Sequence, residues 1–281
     1  MLFAINYSEA AADLLRRGLI QIDAFKLPPW PELLDAARPL APRRVHFDLN
    51  TAQSDGLRRA EWDAYERLLD ETGTPYLNVH LAAACAAFPH IPPQSRDPAH
   101  RAEVQARLLD DLGALTRRFG AARVIAENVP HHGARAKFLR LGSEPEVITA
   151  LLDAADCGLL LDIGHARISA AYMDIPEADY FAALPLGRLR ELHATGLAWV
   201  DGERRDHYAM QAADWAALDG LLAEIAAGTW PEPGLLAFEY GGVGAKFLTR
   251  SDPAVIAAQA PQFWARLAAF NCRAKPGASA A

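Results

Sequence analysis

Eight short apolar segments, each followed by a stretch long enough for a helix, recur along the whole chain. That alternation constrains the fold more than any other feature. The segments read LFAINYS (2–8), QIDAFKL (21–27), RRVHFDL (43–49), YLNVHLA (76–82), RVIAENV (123–129), GLLLDIG (158–164), LRELHAT (189–195) and LLAFEYG (235–241). Amphipathic stretches such as AEWDAYERLLDETG, HRAEVQARLLDDLGALTRRFG, DWAALDGLLAEIAA and DPAVIAAQAPQFWARLAAF lie between them. Asp97-Pro98, just upstream of the second, supplies an N-cap and a first-turn proline. Eight strand–helix units within 281 residues predict an α/β protein, a (β/α)8 TIM barrel. A doubly wound open sheet is the alternative, but no G-x-G-x-x-G follows the first strand. No repeat or linker interrupts the alternation, so a single domain is expected over 1–271, with a disordered tail over 272–281.

The chain is 51% hydrophobic, enough for a large core, and carries a net charge of −7 with only four lysines. That balance weighs against nucleic acid as a partner, because a grip on phosphates needs a basic face. Cys85, Cys157 and Cys272 are odd in number and far apart, which predicts neither a disulfide framework nor a zinc knuckle and fits a reducing cytoplasm. No run of 18 apolar residues is present and the first residues lack a signal-peptide pattern, so neither secretion nor a membrane span is expected.

Asp162 stands inside the apolar run LLLDIGHA, where a carboxylate is costly unless something neutralises it. It is not alone. The third segment carries His46, the fourth His80, the fifth Glu127, the seventh His193 and the eighth Glu239, each in the second half of its strand. In a barrel that half points to the face where active sites are built. His165 follows the sixth segment, and Asp206 and His207 lie in what reads as a loop after the seventh. A lone histidine of this kind is ordinarily a hydrogen-bonded core or surface residue. Six consecutive strands presenting His, Asp or Glu at one depth is a pattern, and three packed carboxylates repel unless cations separate them. Imidazole with carboxylate suits iron, zinc or manganese. Eight candidate ligands, His46, His80, Glu127, Asp162, His165, His193, His207 and Glu239, suggest two or three divalent or trivalent ions. Glu127 and Glu239 have the reach to bridge them.

This order of residues, with Asp162-x-x-His165 at its centre, resembles the xylose isomerase-like TIM-barrel superfamily. That group includes sugar epimerases, endonuclease IV and multinuclear non-haem iron enzymes that modify peptides. The resemblance spans nearly the whole chain. Epimerases of the group use one metal on residues matching Glu127, Asp162, His193 and Glu239, with Glu127 and Glu239 as the proton-transferring catalytic pair. Endonuclease IV and the iron enzymes add residues matching His46, His80, His165 and His207. The opening AINYSEAAADLLRRGLIQIDAFKLPPW looks more like the iron enzymes. The likeness therefore implies oxidative chemistry on a small molecule or a peptide, with iron as the metal and possible delivery of a peptide by a partner protein. A divalent-metal isomerase is the first alternative and abasic-site endonuclease action the second. Where many relatives carry an Asp two residues before the late histidine, this chain has Arg205, with Asp206 next to it; whether Asp206 ligates is open. Asn6, Lys26, His131 and Lys246 are candidate substrate contacts near the mouth. Trp30, Trp62, Trp215, Trp230 and Trp264, in or beside helices, read as packing.

Overall fold

The protein is described by a computed structural model covering residues 1–52, 57, 61–244 and 250–273. Eight parallel strands form its centre: β1 (Leu2–Asn6), β2 (Ala24–Leu27), β3 (Arg43–Val45), β4 (Leu77–His80), β5 (Val124–Glu127), β6 (Gly158–Asp162), β7 (Leu189–Ala194) and, after an inserted pair β8 and β9, β10 (Leu235–Phe238). They pair in the order β3-β2-β1-β10-β7-β6-β5-β4, and the sheet curls until its ends meet. The seam is irregular. Asn50 bridges His80, and Asn78 stitches the gap below by accepting from Phe47 N (2.8 Å) and donating to Phe47 O (3.0 Å). An amide side chain thus supplies the donor and acceptor that a longer β3 would have provided.

Around the strands run α1 (Glu9–Arg16), α2 (Pro31–Ala37), α3 (Trp62–Thr72), α4 (Pro98–Phe119), α5 (Pro145–Ala155), α6 (Ile163–Met173), α7 (Glu177–Ala183), α8 (Ala212–Ala226) and α9 (Pro253–Arg273). The expected cap of α4 forms, with Asp97 accepting from Ala99 N at 2.8 Å. Helix α9 continues through Arg273, two residues past the boundary expected at 271; residues 274–281 lie outside the described part.

Strand periodicity sorts the side chains. Phe3, Ile5, Phe25, Leu236 and Phe238 belong to the large outer core, where Phe263 of α9 stacks on both Phe3 and Phe238. The alternate residues Ala4, Ala24, Leu235 and Ala237 form a separate small cluster on the opposite, inner side. The same parity carries Lys26, His46, His80, Glu127, Asp162, His193 and Glu239 inward.

Strands β8 (Gly196–Val200) and β9 (Glu203–Tyr208) correct the expected loop: they are an antiparallel hairpin. Its turn is Asp201-Gly202, with φ of 53° and 77°, the left-handed pair a two-residue type I′ hairpin requires. At its base Gly196 packs so closely that a Cβ there would overlap the Ala209 carbonyl. Gly196→Ala is therefore expected to cost about 1–3 kcal/mol or more in urea denaturation, the range for forced overpacking. Gly220→Ala, in α8 with nothing within 4 Å of a built Cβ, should be neutral or stabilising by a few tenths of a kcal/mol.

Candidate metal centre

Each strand delivers its polar residue at the carboxyl end. His80, Glu127 and Asp162 are the last residues of β4, β5 and β6; His193 is the penultimate residue of β7; His46 and Glu239 follow β3 and β10 directly. The parallel register sets His80 beside Glu127 and Asp162 beside His193. Seven of the eight expected ligands therefore come from strand ends or, for His165, from the first turn of α6. That turn begins on Asp162, whose Oδ1 caps the helix by accepting from His165 N at 2.7 Å. Gly164 makes this close approach possible, since a Cβ there would lie 2.7 Å from Thr195 Cγ2.

The eighth, His207, arrives on the hairpin. Gly196 pairs with Tyr208 and Ala198 with Arg205, so Asp206 and His207 together oppose Leu197 across a bulge. His207 takes φ 59° there. The irregularity breaks the alternation that would send the two neighbours to opposite sides. Asp206 reaches His165 (Oδ2 to Nε2, 2.9 Å), while His207 lines the cavity with Nδ1 3.0 Å from Glu239 O.

Among the described residues, potential ligand atoms fall into three overlapping groups, each within 4.8 Å: His46, His80 and Glu127; His46, His193 and Glu239; Glu127, Asp162 and His193. Glu127 Oε2 lies 3.6 Å from His46 Nε2 and 3.4 Å from His80 Nε2, and its Oε1 lies 3.6 Å from His165 Nδ1. Glu127 Oε2, Asp162 Oδ2 and His46 Nδ1 are buried without a hydrogen-bond partner among the described residues. Orphaned acceptors of this kind, converging in one buried place, are costly unless a cation satisfies them, so these residues fit a metal.

Protonation tells the same story. Burial pushes the Asp162 carboxyl up to about 7, with the negative charges of Glu239 and Glu127 adding to the effect. Burial likewise disfavours charge on His193, but Glu239 and Glu191 outweigh it and raise that imidazole to about 10. His165 is also raised, by Asp162 and Asp206 against its burial. Burial, then the positive charge of Lys26, holds His46 well below the ordinary histidine range. Without a cation, the carboxylates gather protons on neighbouring imidazoles, the protons a metal displaces when it binds.

Above these residues opens a cavity of about 320 Å³, lined also by Asn6, Tyr7, Lys26, Trp30 and Asp48. Asn6 and Lys26 line this cavity, and the Lys26 ammonium is engaged by Glu191. His131 is not: it is fully buried with Nδ1 3.1 Å from Phe138 O, because the chain after β5 turns inward, and it does not line the cavity. Lys246 lies outside the described residues. Trp30, expected to pack, is 46% exposed and lines the cavity. Glu191 was missed, although its position two residues before His193 signals a shared face.

A parallel barrel that gathers histidines and carboxylates at its carboxyl ends is the architecture of the xylose isomerase-like TIM-barrel superfamily, into which the family match places this chain. Within it, residues 32–219 match the family "RiPP precursor modification enzyme MbnB/TglH/ChrH", and the chain belongs to that family. A UPF0276 protein of Acaryochloris marina (strain MBIC 11017) is 25% identical over 190 residues, 67% of this chain and 65% of that protein, so the match spans just under two thirds of the relative. A UPF0276 protein of Shewanella amazonensis is 34% identical over 73 residues, 26% of this chain and 25% of its own. The structure is similar to D-psicose 3-epimerase from Clostridium cellulolyticum H10 (TM-score 0.57, 12% identity, covering 98% of this chain and 100% of that one). It is also similar to a family 2 AP endonuclease from Brucella melitensis (TM-score 0.54, 13% identity, covering 93% and 99%). At such identities these likenesses show the fold alone. No helix among the described residues is long and apolar enough to cross a membrane.

Proposed function

We propose that this enzyme uses a two- or three-metal centre, best suited to iron, to modify a side chain of a precursor peptide oxidatively. The observation that carries the reading is the three overlapping ligand groups, which share His46, Glu127 and His193 instead of isolating one set. A single ion needs only three or four protein ligands, and Glu127, Asp162, His193 and Glu239 already supply four. His46 and His80, drawn into these groups, have no ligand role in a mononuclear site on those four, and His165 stands just outside the groups with Nδ1 3.6 Å from Glu127 Oε1. Iron, when bound, supplies a change of valence and Lewis acidity.

The chain's own groups do the rest. Glu127 reaches toward His46 and His80 with one oxygen and toward His165 with the other, so it would be the residue able to hold more than one ion. The cavity is large enough for one side chain and its flanking backbone, and Tyr7, Leu27 and Trp30 give it an apolar wall against which such a side chain can rest. Asn6 offers an amide for orientation, and Asp206 holds the His165 ring in place.

A redox-neutral isomerase is the competing reading, favoured by the Glu127–Asp162–His193 group with Glu239 2.9 Å from His193 Nδ1. Oxygen uptake separates them. Iron-loaded protein given synthetic peptides that present each type of side chain should consume O2 with at least one of them and none with ketoses or ketose phosphates. Anaerobic interconversion of ketoses by zinc- or manganese-loaded protein would reject the proposal.

A further inference from the structure

We infer that Glu191 is a positioning residue for His193, and that the buried Lys26–Glu191 pair is retained to hold that imidazole with Nδ1 turned toward the ligand cluster. The inference rests on the metal-centre reading and deepens it. Glu191 and His193 are two residues apart on β7, so both point into the barrel, with Glu191 one level below. Glu191 Oε1 accepts from His193 Nε2 at 2.8 Å and is ion-paired with the Lys26 ammonium. His193 Nδ1 then lies 2.9 Å from Glu239 Oε1, within two of the three ligand groups.

Lys26 sits on β2, three strands away from β7 in the sheet, and reaches Glu191 across the barrel interior. The inward cluster between them is mostly small, with Ala4 on β1, Ala24 on β2 and Ala237 on β10 beside a single larger member, Leu235, next to Glu191. An ordinary barrel fills that layer with bulky branched side chains. Here the space is given to two charged groups that are 2% and 7% exposed. Buried pairs of this kind add little net stability, so the arrangement needs another reason.

The other histidines supply the contrast. His80 holds Leu49 O at 2.9 Å, His165 holds Asn128 O at 2.8 Å and His207 holds Glu239 O at 3.0 Å, each through Nδ1 to a main-chain carbonyl. His193 has no such main-chain contact among the described residues and carries a carboxylate at each nitrogen instead, Glu191 at Nε2 and Glu239 at Nδ1, whereas His165 meets its one close carboxylate, Asp206, at the nitrogen opposite its main-chain contact. A carboxylate acceptor fixes the tautomer and makes the opposite nitrogen a stronger donor to a metal.

The test uses the full chain and Zn2+ alone as probe, with competition against a chromophoric chelator, urea denaturation and 15N imidazole spectra of the metal-free protein. Glu191→Met should be destabilised, because Lys26 is left buried and unpaired. The double variant Lys26→Met/Glu191→Met removes both charges and should recover the urea midpoint. Its Zn2+ affinity should nevertheless stay about 10- to 100-fold lower, the cost of losing an outer partner of a ligand, and its His193 should no longer show a fixed Nε2–H tautomer. Glu191→Gln preserves shape and leaves an acceptor oxygen for Lys26, so it should be less destabilised than Glu191→Met, and the hydrogen-bonded Nε2 proton of His193 should move upfield as an amide replaces the carboxylate. A double variant that binds Zn2+ as tightly as the unchanged chain, or a Glu191→Gln spectrum with that proton unmoved, would overturn the inference while leaving the metal centre standing. Failure of the unchanged chain to bind Zn2+ would instead remove the metal-centre reading, and this inference with it.

Discussion

Asp162→Ala is expected to strip the protein of metal, lowering affinity by more than about 100-fold, beyond the 10- to 100-fold range for disturbing an outer partner. The carboxylate is fully buried at the end of β6, its Oδ2 has no hydrogen-bond partner among the described residues, and burial pushes it up to about 7. A cation would satisfy that oxygen, which lies 3.7 Å from the His165 ring. The substitution also removes the cap of α6, a loss of about 1 kcal/mol. Asp162→Asn separates the two effects, since an asparagine still accepts from His165 N but is a poor substitute for a charged ligand. Both variants should lose metal, and only the alanine should lose helix stability. His90→Ala and His100→Ala are the controls. Those rings pair with Glu103 and Ser95, away from the constellation, and metal content should not change. Elemental analysis of the four purified variants checks the set.

The second expectation concerns His46 and His165, which a mononuclear site does not require. His46 belongs to two of the three ligand groups, and its ring lies 5.2 Å from that of His80 and 5.3 Å from that of His193. His165 is held between Asn128 O and Asp206 and faces both Glu127 and Asp162. Replacing either with alanine should lower iron content and turnover by at least about tenfold. Full activity in both variants would leave the extra histidines without a role. Iron retention with lost turnover would place them on the substrate side instead.

Strand parity made much of this site readable. His46, His80, Glu127, Asp162, His193 and Glu239 sit at one level because each ends a short apolar segment, and a parallel register keeps in-step residues on the same face. What parity alone does not show is depth. Glu191 and Asn78 share that inward face one step below His193 and His80, and their partners, Lys26 and Phe47, come from strands distant in sequence. The hairpin was hidden for a different reason: ERRDHY is too polar to read as a strand, although Asp201-Gly202 carried the turn signal. His131 was drawn to the mouth by its neighbours in sequence, whereas the backbone folds it beneath the Phe138 carbonyl. The fold therefore followed from local pattern, and the Lys26–Glu191 and Asn78–Phe47 contacts stayed hidden because they join residues far apart in sequence.

The number of ions each chain holds bears hardest on this account. Protein purified without oxygen and reconstituted with ferrous iron, then analysed for iron per chain by elemental analysis, should hold two or three ions. A single ion that saturates the site, with His46→Ala and His165→Ala holding the same amount, would contradict a shared centre and point to a mononuclear enzyme.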